Sequence, residues 1–256
     1  AIRPLTKDGE LAIALAVKDG RILRVGNREH VFETRGPKTR LVNLEGRCLM
    51  PGFVDAHARL ALQAARLTAL NLEPKPSGTV ASVADICDRL RTWIVDRKIA
   101  AGSWVIGWGY DHAAMTDHRH PLREDLDHVS TDHPIVLLHA SGALLAGNSR
   151  LFAALGVTAD TPDPAGGRYL RRGSGREPNG LLEGTAVQTA LAAMPAPTPE
   201  QAIAALQEAL TQCAAAGITT AQDSSIGPGA QALLAQMAAA GKLPIESVPL
   251  APGQLA

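Results

Sequence analysis

With 256 residues, 46% hydrophobic and 20% charged, the chain has the composition of a soluble globular protein, long enough for one large domain or a domain with a lobe. Lys+Arg and Asp+Glu are both 25, so net charge is zero, and no basic concentration suggests a nucleic-acid surface or a membrane face. No apolar run approaches the ~18 residues that span a bilayer, and three scattered cysteines (Cys48, Cys87, Cys213) give neither a disulfide framework nor a thiolate zinc site, which fits a reducing, cytoplasmic setting.

Aromatics are only 3%, so the core is expected to be aliphatic. Residues 11–32 read as two strands around the turn Lys18-Asp19-Gly20, because Asp-Gly between apolar runs is a strong hairpin signal, with a further turn at Gly26-Asn27. Residues 40–44 and 47–54 read as more strand, which makes the first ~50 residues an antiparallel β-lobe feeding a buried strand, Gly52-Phe53-Val54. Ser82 can cap a helix that lines up Ile86, Leu90, Trp93 and Ile94. Residues 103–111 and 133–142 are short apolar strands, and the Gly-, Pro- and charge-rich stretch 160–180 reads as a long irregular loop. Thr198, Pro199 and Gln201 open the clearest helix, which Gly217 can end; strand 218–224, helix 228–241 and strand 243–250 follow. Strand-helix alternation across 134–250 predicts parallel βα units in a barrel or a doubly wound sheet.

Parallel α/β folds place chemistry at strand ends. His57, Asp111, His139 and Asp223 each follow or end an apolar strand, and each is an acid-base or metal-capable group. His57 and Arg59 lie two apart and should project together. The other histidine group, His112, His118 and His120 in "DHAAMTDHRHP", lies in a Pro- and charge-rich segment and reads as a solvated loop.

"LMPGFVDAHARL" at 49–60 resembles the first-strand motif of the amidohydrolase superfamily, Pro-Gly-Phe-(Val/Ile)-Asp-x-His-x-His. Colinear similarities to the branch that includes N-substituted formamide deformylases are "GWGYD" at 107–111, "HPLREDLD" at 120–127, "HASGALLAGNSRL" at 139–151, "PNGLLEG" at 178–184 and "GITTAQD" at 217–223. The resemblance implies the first half of a metal-dependent (β/α)8 barrel over 51–256, with an inserted segment around 70–180. It also implies that residues 1–50 form part of a composite β-sandwich lobe, and that the chain is the N-terminal half of a longer protein.

The implied activity is hydrolysis of a non-peptide C–N bond, amide- or formamide-type, in a small-molecule substrate through metal-activated water. The implied cofactor is a divalent metal, zinc, with one ion favoured over two. His57 and Glu183 are the implied metal ligands, Asp111, His139 and Asp223 the catalytic residues, and Arg59 the substrate-binding residue. No nucleic-acid or membrane partner is expected, and a homo-oligomer is left open. Two departures stand out. Arg59, a permanent cation, replaces the second histidine of the first-strand pair, and Ala143 stands where the branch reads Ser-Gly-His. They motivate the alternative of an inactive homologue or truncated fragment kept for binding or assembly.

Overall fold

The computed structural model describes residues 2–3, 11–223 and 226–249. Contacts divide the chain into two compact units, one of residues 1–58, 211–225 and 243–256, the other of 59–210 and 226–242.

The first unit opens with the expected hairpin, β1 (Ala14–Lys18) antiparallel to β2 (Arg21–Gly26). Asp19 and Gly20 both take positive φ, which a two-residue hairpin turn requires. The turn expected at Gly26-Asn27 leads instead into α1 (Arg28–Phe32), because Asn27 accepts the backbone N–H of His30 and caps it. Residues 40–44 are not strand. β3 (Phe53–Ala58) is a strand, but not a buried one: Phe53 and Val54 are 52% and 66% exposed. Among the described residues β3 has a single sheet neighbour, which explains the exposure.

The second unit is a mixed six-stranded sheet between helices. Its elements are α2 (Leu60–Leu67), β4 (Leu70–Asn71), α3 (Val83–Asp96), β5 (Val105–Tyr110), α4 (Arg123–Asp127), β6 (Ile135–His139) and β7 (Leu144–Gly147). α5 (Ser149–Leu155), β8 (Gly167–Arg171), β9 (Pro178–Gly184) and α6 (Thr185–Ala193) follow. Strand order is β4-β5-β6-β7-β9-β8. The β4, β5 and β6 pairings are parallel, whereas β7 pairs antiparallel with β6 and β9, and β8 with β9. Only residues 140–143 join β6 to β7, and only 172–177 join β8 to β9; parallel neighbours need a crossover of about a dozen residues, so these pairs must be hairpins. The parallel units expected from 134 are thus replaced by antiparallel pairs through β9, and the loop expected at 160–180 by the β8–β9 hairpin, while the unit expected over 218–250 is parallel.

Strand alternation sorts the sheet's side chains into two cores. Ile135 and Leu137 of β6, Ala146 of β7 and Leu181 of β9 join Ile86 and Leu90 of α3 on one face. Val136, Leu145 and Leu182, each one residue away in sequence, join Leu151 of α5 and Val187 of α6 on the other. Ser82 caps α3 as expected, accepting the Asp85 N–H at 3.2 Å. Asn148 ties this sheet together from within. Wholly buried, its carbonyl oxygen accepts the N–H groups of Ile135 and Leu151, and its amide donates to the carbonyls of Ser130 and His133.

α7 (Pro199–Ala215) starts with the predicted capping box: Thr198 accepts the Gln201 N–H, and the Gln201 side chain accepts the Thr198 N–H. Gly217, at φ +83°, ends the turn into β10 (Ile218–Asp223). After α8 (Pro228–Ala239), β11 (Glu246–Pro249) pairs parallel with β10, which pairs parallel with β3 on its other side. The first unit thus contains a three-stranded parallel sheet, order β11-β10-β3. No helix among the described residues is long and apolar enough to cross a membrane.

Candidate active site

The four strand-end residues fall into two sheets. His57 and Asp223 belong to the three-stranded sheet, where Asp223 stands in register with Ala58. Asp223 is completely buried; His57 is exposed, and its backbone N–H donates to Asp55 Oδ1 at 3.0 Å. Arg59 lies just past β3, exposed, at the first position before α2. Asp111 follows β5 and His139 ends β6, neighbouring parallel strands of the six-stranded sheet, and the two do come together, with His139 Nε2 3.6 Å from Asp111 Oδ1.

Two residues read from the sequence as solvated loop join them. His112 begins a 3-10 turn, His112–Ala114, that Asp111 caps by accepting the Ala113 N–H. This places His112 Nδ1 at 3.3 Å from His139 Nε2 and 3.9 Å from Asp111 Oδ1. His120 stacks on His112 with ring centroids 3.8 Å apart, and its Nδ1 is 3.2 Å from the hydroxyl of the wholly buried Tyr110. His118, the third histidine of that stretch, is exposed, with φ +43°. The signal for His112 was in the sequence, since it directly follows a strand-end aspartate. Nothing local marks His120, whose position depends on the loop folding back over Tyr110.

Glu183 is the penultimate residue of β9, and Arg168 of β8 grips it through Nε at 3.1 Å and Nη2 at 2.5 Å. Its charge reaches His120. Burial, then the neighbouring His112 and His139, push the His120 pKa down to about 4, against the pull of Glu183 and Asp111. Burial is also the main cause lowering His139, with Asp111 opposing it. Burial pushes Tyr110 up, so it is a neutral phenol. Two imidazoles are therefore held neutral, the form that can ligate a metal.

Whether a cation fits can be read from the donor atoms. A circle through Asp111 Oδ1, His112 Nδ1 and His139 Nε2 has a radius of about 2.1 Å, which matches zinc-to-nitrogen and zinc-to-carboxylate distances. The tautomer has to change for this. The Ser141 backbone N–H points at His139 Nδ1 from 3.1 Å, so Nδ1 accepts and the neutral ring carries its proton on Nε2. Ligation through Nε2 would move that proton to Nδ1, where Ser141 Oγ waits at 2.9 Å as its acceptor. The donors fit a divalent ion. Two nitrogens and one carboxylate oxygen suit zinc and its neighbours better than magnesium or calcium.

The amidohydrolase family model matches residues 40–256. This chain belongs to the amidohydrolase family. It is 28% identical to the N-substituted formamide deformylase of Arthrobacter pascens over 95% of its own length and 44% of that protein's. It is 29% identical to the putative amidohydrolase YtcJ of Bacillus subtilis, over 85% of itself and 40% of that protein. The amidohydrolase chain thus spans under half the length of these curated relatives. Among solved structures, an uncharacterized metal-dependent hydrolase of Pyrococcus horikoshii superposes on 92% of the chain and 44% of its own, with TM-score 0.61 and 18% identity. One from Pyrococcus furiosus gives TM-score 0.62 and 19% identity over 92% and 45%. These likenesses speak for the α/β fold.

Proposed function

We propose that this amidohydrolase is a hydrolase of small-molecule amide- or formamide-type C–N bonds that works with one divalent ion, zinc by its donor set, held by Asp111, His112 and His139. The observation that carries the reading is the donor triangle, three ligand atoms from two adjacent strand ends on a circle of metal-ligand radius. An ion held there would acidify water and polarise a carbonyl oxygen.

The chain's own groups would do the rest. The Ala113 N–H fixes the Asp111 carboxylate, whose partial exposure leaves one side open to a small substrate. Ser141 sets the His139 ring from behind. Arg168 fixes the Glu183 carboxylate through two hydrogen bonds to its Oε2. The resemblance alone implies His57 and Glu183 as metal ligands, Arg59 as a substrate anchor and Asp223 as a catalytic carboxylate, and the ion proposed here does not draw on them. The parallel β3, β10 and β11 support reading them as opening strands of a (β/α)8 barrel, with the six-stranded sheet inserted between β3 and β10 and the β1–β2 hairpin part of a sandwich lobe.

The test combines metal analysis of the purified intact protein with a panel of N-substituted formamides and simple amides. One equivalent of bound zinc and turnover that D111N and H139Q remove is the expected result. Metal-replete protein that turns over no member of the panel would instead support an inactive homologue, which Arg59 and Ala143 motivate.

A further inference from the structure

The three donor atoms that converge are those of Asp111, His112 and His139. His120 borders them without joining them. Half-buried, its ring lies face to face on that of His112 with centroids 3.8 Å apart, and 5.9 Å from the centroid of His139. It therefore flanks the space that a small substrate on the donor triangle would occupy.

Hydrogen bonds fix where a neutral imidazole carries its proton. Tyr110 is wholly buried, and among the described residues its hydroxyl has one partner, His120 Nδ1 at 3.2 Å. Were Nδ1 the donor, the phenol O–H would be left buried without an acceptor, which is costly. So Tyr110 donates, Nδ1 accepts, and the His120 ring holds its proton on Nε2. Among the described residues that N–H has no protein partner, and Nε2 is not enclosed. Glu183, whose charge reaches the ring, is held by two Arg168 hydrogen bonds and makes none to His120. His139 differs in this respect. It has to move its proton to Nδ1 before Nε2 can ligate, whereas His120 keeps its Nε2–H whether or not an ion is held.

We infer that His120 is a catalytic hydrogen-bond donor, its Nε2–H meeting the substrate's carbonyl oxygen as that oxygen becomes negative, and that Tyr110 is the positioning residue that keeps the proton on Nε2. In the step concerned, the water oxygen bonds to the carbonyl carbon and the C=O π pair moves onto the carbonyl oxygen, where the N–H receives it. The pair returns as the C–N bond breaks, and the amine leaves with one proton of the attacking water while the acid keeps the other. His120 gives up no proton and takes no coordination position from the water. The inference rests on the hydrolase reading above, and it gives a role to a ring that its sequence context assigns to a solvated loop.

Two measurements on the intact protein test it. Isotope-edited NMR of the histidine ring nitrogens in metal-free protein reads the tautomer. His120 is expected with a bare Nδ1 and a protonated Nε2, and Y110F, which keeps the aromatic ring and removes the hydroxyl, should mix the two forms. A proton on Nδ1 in wild type would overturn the inference without any variant having to fold. The second measurement is kinetic, on whichever formamide or amide of the panel the zinc-loaded protein turns over fastest. H120L should hold zinc as wild type does and lose about 100-fold in kcat with little change in KM, as expected for one missing oxyanion donor. H120Q, whose side-chain amide can stand where the Nε2–H does, should recover about 10-fold of that loss. Wild-type kcat in H120L would overturn the inference, and so would a loss of activity that merely follows a loss of zinc. A wild type that holds no zinc, or holds it and hydrolyses no member of the panel, would take down the hydrolase reading itself and the donor role with it.

Discussion

Asn148→Ala tests whether the buried carboxamide between β6 and α5 is the tie that sets where β6 begins, and hence where His139 ends it. The substitution orphans the Ile135 N–H and the Ser130 and His133 carbonyls, bonded to Asn148 at 2.8–3.0 Å, while the Leu151 N–H keeps its second acceptor, the Asn148 carbonyl at 3.1 Å. Each buried polar group so orphaned costs about 1–3 kcal/mol. A water entering the vacated space offsets part of this, so the expected loss is about 3–5 kcal/mol. At about 2–4 °C per kcal/mol for a unit of this size, Tm should fall by about 6–20 °C. Trp93, Trp104 and Trp108, the three tryptophans of the chain, all lie in the second unit, so intrinsic fluorescence in a urea or thermal melt reads that unit directly. Asn148→Asp keeps the acceptor for both N–H groups but sets a carboxylate against two carbonyls, so it should rescue little. Hydrogen exchange at the Ile135 amide should accelerate in Asn148→Ala. A loss in Asn148→Ala below about 1 kcal/mol would show that the three orphaned groups are satisfied at little cost and that the reasoning is wrong.

Three further outcomes are expected. Ser141→Ala removes the oxygen behind His139 Nδ1, so zinc affinity, measured by chelator competition, should fall by about 10-fold while circular dichroism stays the same. Gly184→Ala sets a Cβ 2.2 Å from the Gly166 carbonyl oxygen at a φ of +60°; a Tm loss worth about 2–4 kcal/mol is expected, and an unchanged melt would contradict that contact. In metal-free protein the His120 pKa, held down to about 4 chiefly by burial, lies below the unfolded value of 6.5, so the unfolded chain binds the extra proton between those values. Stability should therefore fall as pH falls from about 6.5 to about 4, by about 1–2 kcal/mol after solvent screening of a partly exposed ring, and His120→Gln should flatten that slope in pH-dependent melts.

What could be read from the sequence was what neighbouring residues decide among themselves. The Asp19-Gly20 turn, the Ser82 cap and the Thr198–Gln201 box are local geometry and stand as expected. Burial of β3 is not local. Phe53 and Val54 look like core, but whether they are covered depends on which strands pair beside them. β8 and β9 were hidden because their apolar content, Tyr169, Leu181 and Leu182, is diluted by Gly, Pro and Arg, and each strand exists by virtue of the other. At the site, the Asp111–His139 pairing follows from the parallel pairing of β5 with β6. His112 and His120 enter through a capped 3-10 turn and a contact with Tyr110, and neither leaves a periodic trace in the residue pattern.

The two hairpins of the six-stranded sheet differ in how freely their length can drift. The tip between β8 and β9, residues 172–177, is exposed throughout and tied to its surroundings by surface ion pairs such as Glu177 with Arg123 and Arg176 with Asp160, so extra residues there would lengthen an exposed loop at little cost. Residues 140–143 are a spacer of fixed gauge. Gly142 closes the turn on the His139 carbonyl, Ser141 reaches back to the His139 ring, and its hydroxyl also takes the Ala143 N–H. One residue more or less would leave both strands intact yet turn the Ser141 hydroxyl away from the imidazole. Length variation between related chains should therefore gather at the first tip and be absent from the second.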